Sequence, residues 1–237
     1  RFTHENFRGR KEGLRLVFQR GFTKKYELFY TIPYVNKKQT TGLRFSFSYS
    51  ENNQIAFQSN QHKLDYYKSD DKVLRKRFYI GVLVSKRNKF YGNHQLELKY
   101  LQNSVNDSIA ILNEDFFKNG RTLQKYFRLY YSYAYDRRDV NVYPLKGYYV
   151  GAEVEKIGMG IFNHVDMTTL EVQYAKFFEL KYKFYTAHSI QTKLTTPSNH
   201  PYFNVQGLGY GQKLVRGYEL NVIDGQHYIL NRNEFKK

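Results

Sequence analysis

The side chains able to do covalent or metal chemistry are few and scattered. Seven histidines, His4, His62, His94, His164, His188, His200 and His227, lie far apart, and none forms a spacing suited to a metal ion. The absence of cysteine removes disulfides, thiolate metal sites and cysteine nucleophiles. No Ser/His/Asp order stands out, so neither enzymatic activity nor a cofactor is expected. Gly207, Gly209 and Gly211 form a Gly-x-Gly-x-Gly run. A phosphate-binding loop, however, follows a strand, opens a helix and usually carries Lys-Ser/Thr. Gln212-Lys213-Leu214 supplies no hydroxyl and no helical pattern follows. Two polar clusters remain. Tyr135-Asp136-Arg137-Arg138-Asp139, closed by Pro144, Lys146 and Gly147, has the residues of a tight turn, since Asp and Gly favour turns and Pro fixes φ. Val215-Arg216-Gly217-Tyr218 closes the longest connection in the chain.

The elements that must hold these clusters follow from a period-two pattern. Phe45 and Phe47 alternate with Arg44, Ser46 and Ser48. Phe127, Leu129, Tyr131 and Tyr133 form the longest clean apolar face, and Leu170, Val172 and Tyr174 oppose Glu171 and Gln173. About ten segments repeat the pattern, which is the mark of strands with two unlike faces. A mean hydropathy of -0.71 beside 18% aromatic residues fits the same alternation. No apolar run approaches the roughly 18 residues of a membrane helix, whereas a barrel strand needs only about 9–11. From the third connection onward, long and short connections alternate, as in an up-and-down membrane barrel. Phe45, Phe47, Phe127, Leu129, Tyr131 and Tyr133 are therefore expected to face lipid. A soluble β-sandwich also alternates, but its charged positions would not lie so consistently opposite Tyr-rich faces. The net charge of +17 points to an anionic partner, nucleic acid or anionic lipid. The barrel pattern favours lipid headgroups, with Lys63, Lys68, Lys72 and Lys118 expected to meet phosphates and Arg15, Arg44 and Arg128 to be hydrated or paired inside. No nucleic-acid partner is then expected.

The order Tyr-Asp-Arg-Arg-Asp, Pro-Leu-Lys-Gly and, later, Val-Arg-Gly-Tyr resembles the BamA/TamA-type outer-membrane insertases. Asn6-Phe7-Arg8-Gly9 before a strand and Ile32-Pro33-Tyr34 at a strand end fit as well. The resemblance covers nearly the whole chain. It implies an all-β, antiparallel, up-and-down transmembrane barrel of which residues 1–237 hold about ten of a probable sixteen strands. POTRA domains and the first and last strands would lie elsewhere in a longer protein. Asp136, Arg138, Asp139, Pro144 and Gly147 would form a periplasmic turn, and 193–225 a long extracellular loop carrying Val215, Arg216, Gly217 and Tyr218. Arg216 matches an arginine that meets acidic residues on later strands inside the barrel. The implied location is the bacterial outer membrane. The implied activity is insertion of unfolded outer-membrane proteins through a lateral seam, with accessory subunits. A TamA-like or two-partner-secretion pore, a passive porin and a soluble basic nucleic-acid-binding β protein are the alternatives.

Overall fold

The computed structural model describes every residue except Gln212. In chain order the strands are β1 (Phe2–His4), β2 (Gly13–Gln19), β3 (Thr23–Ile32), β4 (Thr41–Asn52), β5 (Gln54–Asn60), β6 (Lys63–Lys68), β7 (Arg75–Asn88), β8 (Gly92–Val105), β9 (Leu123–Asp136), β10 (Gly147–Ile157), β11 (Met167–Glu179), β12 (Tyr185–Thr196) and β13 (Tyr228–Lys236). A short helix, α1 (Asp107–Leu112), lies between β8 and β9. Eleven strands form one sheet in the order β1-β2-β3-β4-β7-β8-β9-β10-β11-β12-β13, every neighbouring pair antiparallel. Apart from β4 and β7, which pair across the β5–β6 segment, each strand of this sheet pairs with its neighbour in sequence, the arrangement of an up-and-down barrel wall. The ten strands read from alternation are all present.

Three elements lie outside that reading. β1 pairs with β2 over three residues. The β5–β6 hairpin forms its own two-stranded sheet within the β4–β7 connection, and α1 sits in a segment otherwise read as loop. The last long connection also shifts, to 197–227. Leu194, Thr195 and Thr196 continue the β11 ladder opposite Leu170, Thr169 and Thr168, so β12 runs past the expected boundary.

The connections sort onto two rims. Short turns 5–12, 33–40, 89–91, 137–146 and 180–184 share one rim. The opposite rim carries 20–22, 53–74, 106–122, 158–166 and 197–227. The deepest apolar packing lies on this second rim and not within the sheet. Leu74, Ile109, Phe116 and Phe117 are almost wholly buried together with Ile55 and Val105, and Phe57, Tyr202 and Phe203 pack against them. Residues from three long connections thereby share one small core, because none has enough apolar surface to stay ordered alone. Backbone bonds fix the assembly: Tyr202 N–H donates to Asp115 O at 2.9 Å and Phe203 N–H to Phe116 O at 3.1 Å.

Candidate functional site

The register puts the two faces of the sheet in different environments. Ile32, Leu43, Val84, Leu96, Tyr131, Val154, Leu170 and Leu194 are successive cross-strand partners from β3 to β12. They form a continuous apolar row over eight strands. In an adjacent row on the same face, Phe45, Val82, Leu98 and Leu129 are partners. Most of this face is open: Phe45 is 41% exposed, Leu129 38% and Tyr131 40%. Of the other expected lipid-facing residues, Phe47 is likewise outward and exposed. Phe127 is half-buried beneath Phe162, with which it stacks at 5.9 Å, and Tyr133 is half-buried against His94 at 4.7 Å.

The opposite, inner face is polar, and a central group of its charges is paired. Arg128 bridges two neighbouring strands, donating through Nε to Glu155 at 2.8 Å and through its NH1 to Glu97 at 3.1 Å. Lys99 also reaches Glu97, at 2.8 Å. Ser46 and Ser48 are buried on this face, where larger side chains would crowd their neighbours. The 197–227 connection lies over it. Gln124 Nε2 donates to Asn204 at 2.9 Å, Lys193 Nζ to Gln206 O at 2.7 Å, and Lys213 Nζ to Glu171 at 2.5 Å. The glycine run serves this docking. Gly207 and Gly209 lie so close to the returning chain that a Cβ would sit 2.3 Å from Ile223 O and 2.1 Å from Asn221 O. Leu208 and Ile223 then form an isolated antiparallel bridge. This close backbone approach, with no helix following, accounts for the glycines without a phosphate.

The Val215–Tyr218 motif folds as an exposed turn at the end of that loop. Tyr218 N–H donates to Val215 O at 2.9 Å, Gly217 takes φ +81°, and its N–H donates to Glu219 Oε1 at 3.0 Å. Arg216 is exposed and, among the described residues, makes no side-chain hydrogen bond or ion pair. It lines a cleft with Glu219 and with Arg232 and Glu234 of β13. The acidic partner that the resemblance implies for it is not among the described residues.

The other motif is a closed polar turn on the short-turn rim. Arg138 grips Asp136 through two parallel bonds, Nε to Oδ1 at 2.8 Å and NH2 to Oδ2 at 2.6 Å, a geometry that only a planar guanidinium supplies. Asp139 Oδ1 accepts from the N–H groups of Val140 at 2.9 Å and Leu145 at 3.1 Å, tying the start of the turn to its end. Pro144 is buried. Gly147 has φ +101°, and a Cβ there would meet Arg137 O at 2.1 Å. The five motif residues are therefore brought together, each with a separate job in one loop.

A third polar cluster, on the same rim, carried no signal beyond the Asn-Phe-Arg-Gly run. The Glu12 side chain is 2% exposed and receives Arg8 Nε at 2.6 Å, Arg8 NH2 at 3.0 Å and the Tyr30 hydroxyl at 2.5 Å. The hydrogen bonds from Arg8, then from Tyr30, hold the Glu12 carboxyl down to about 2. The unfolded chain would bind this proton more tightly than the folded one. The carboxylate accordingly stabilises the fold fully above the ordinary glutamate range, and that contribution disappears as pH falls toward 2. Glu12→Gln should lower thermal stability at neutral pH and flatten its decline between about pH 4.5 and pH 2. Melting curves of the folded protein at neutral and acid pH check this. A variant that keeps the acid slope of the parent would show that Glu12 does not carry it.

Long antiparallel strands, sequential pairing, an apolar outer belt, a polar inner face and unequal rims define a barrel-type membrane wall. Comparison with known proteins gives the family. Residues 6–230 match the Omp85 superfamily domain, and the chain belongs to that superfamily. No curated protein matches it. Among solved structures it is similar to BamA from Haemophilus ducreyi lacking POTRA domains 1-3, with a TM-score of 0.68 and 16% identity over 91% of this chain. The chain spans 42% of the length of that BamA chain.

Proposed function

We propose that this chain forms wall strands of a bacterial outer-membrane barrel whose protein assists the insertion of other outer-membrane proteins. The observation that carries the membrane part is the apolar row running unbroken from Ile32 to Leu194, exposed from Val84 onward. Water-soluble domains do not leave an apolar band of this extent uncovered, and a bilayer covers it without a second sheet. Phe45, Phe47, Leu129 and Tyr131 then touch lipid, with Phe127 and Tyr133 nearer the ends of the band. Omp85 membership and the order of the two motifs support the insertion part. The docked 197–227 loop, tethered by Lys213 and Asn204, covers the inner face and speaks against a passive open pore.

In this reading no nucleophile, metal or nucleotide is required. An inserting strand carries unpaired N–H and C=O groups, which are costly in hydrocarbon. A barrel edge that lends its own backbone groups lowers that cost. Unfolded outer-membrane proteins are the substrates and accessory subunits the natural helpers. Arg216, without an ion pair among the described residues on an otherwise fastened loop, is positioned to take a carboxylate from a further part of the barrel and pin the loop to the wall. Arg216→Ala in the full-length protein should lower both barrel stability and the rate at which a second outer-membrane protein folds into vesicles. Unchanged values of both would refute the pinning role. Ion conductance through the folded protein without any insertion activity would favour the porin reading.

A further inference from the structure

Among the connections the excess positive charge lies on one rim. The five short turns, 34 residues in all, hold eleven Lys or Arg against three Asp or Glu, a net of +8. The five connections of the opposite rim, 82 residues, hold eight against nine, a net of -1. This reverses the expectation that loop lysines such as Lys63, Lys68 and Lys72 supply the basic surface; Lys68 pairs locally with Asp70 at 2.9 Å. On the short-turn rim, by contrast, Lys37, Lys38, Lys89, Lys181 and Lys183 are exposed and, among the described residues, form no ion pair.

The same turns present apolar tips. Phe90 is 93% exposed, Val142 93% and Tyr182 88%; Phe90 adjoins Lys89, and Tyr182 lies between Lys181 and Lys183. Some of these tips sit on left-handed backbone. Lys89 has φ 55°, and Tyr182 and Lys183 have φ 62° and 61°. Gly or Asn would take these left-handed positions at lower cost.

From this pattern we infer that the short-turn rim is a docking ring for the anionic phospholipid headgroups of the leaflet on that side. Aromatic and aliphatic tips lie at the interface, where amphipathic side chains are favoured, and the lysines meet phosphates. A ring repeated on successive turns around the wall fits a planar, continuous ligand better than a compact protein, which would contact one sector. The inference rests on the barrel reading above and adds which rim, which leaflet and which residues.

The test is the headgroup selectivity of the full-length protein reconstituted in phosphatidylcholine vesicles, read with spin-labelled phosphatidylglycerol against spin-labelled phosphatidylcholine. Resistance of the folded form to gel denaturation first reports insertion. The parent should prefer phosphatidylglycerol, and the preference should shrink as salt rises. Each lysine at an anionic surface is worth about a fivefold preference. Averaged over the perimeter, the combined K37Q, K38Q, K89Q, K181Q and K183Q variant should therefore lose about half of the selectivity or more. K63Q, K68Q and K72Q together, on the other rim, should leave it unchanged. An inserted parent with no headgroup preference, or equal losses from both variants, overturns the inference while the barrel reading stands. Selectivity unchanged in the first variant, with loss only of an acidic protein partner, overturns it in favour of protein docking. Failure of the parent to insert overturns the barrel reading and the inference with it.

Discussion

Leu129→Lys should prevent folding into a bilayer, while Arg128→Gln, one residue away, should still insert. Leu129 lies at the middle of β9, outward, between Leu98 and Lys156 in the cross-strand row. A lysine there would sit on the apolar face near mid-membrane, where a cation costs about 2–4 kcal/mol. Its cross-strand partner Lys156 does not relieve this, since it is itself a cation, held by Asp166 of the 158–166 connection. A second cation beside it would add repulsion. Arg128 faces inward and its loss leaves Glu97 and Glu155 facing each other across a polar interior. Lys99 still reaches Glu97, so the expected cost is a lower melting temperature with insertion retained. The measurement is the yield of folded, protease-protected protein in vesicles for both variants. Equal yields would show that the outer row does not contact hydrocarbon.

The contrast between these two neighbours is also why the wall was legible in the sequence. Two solvents, hydrocarbon and water, act on alternate residues, and each strand writes that difference along its length. All ten strands could be read for this reason, although β12 was read short where Thr192 and Thr196 dilute its apolar face on either side of Leu194. The loop core obeys no such rule. Phe116 and Phe117 stand among Glu114, Asp115 and Lys118 with no period, and their partners come from 53–74 and 197–227. Only the folded topology brings the three together. Glu12 was silent for a related reason: Tyr30 reaches it through the β2–β3 register, 18 residues on. Composition stated the charge of +17, but assigning it to a rim required knowing which connections share an end. Of the candidate site, the turn motif was readable because its residues bind one another locally. The role of Arg216 was not, because no described residue answers it.

That local closure makes Gly147 the position where one methyl group should do most damage. The turn brings the start of β10 back against Arg137, whose N–H donates to Tyr148 O at 2.9 Å. At φ +101° an alanine is already in a region that L residues avoid, a strain of about 1–3 kcal/mol. Its Cβ would also lie 2.1 Å from Arg137 O, a backbone atom that cannot step aside without breaking the bond to Tyr148. Together the two effects place Gly147→Ala among severely destabilising substitutions, about 4 kcal/mol or more. Gly160 is the control: it has φ +72° but nothing within 4 Å of an added Cβ. Gly160→Ala should therefore cost only the left-handed strain, about 1–2 kcal/mol. Equilibrium unfolding in urea of the two variants separates them. Equal losses would mean that the turn relaxes around the methyl group. In that case the grip of Arg138 on Asp136 and of Asp139 on Leu145 would not fix its shape, and the motif would owe its residue order to something other than closing the β9–β10 connection.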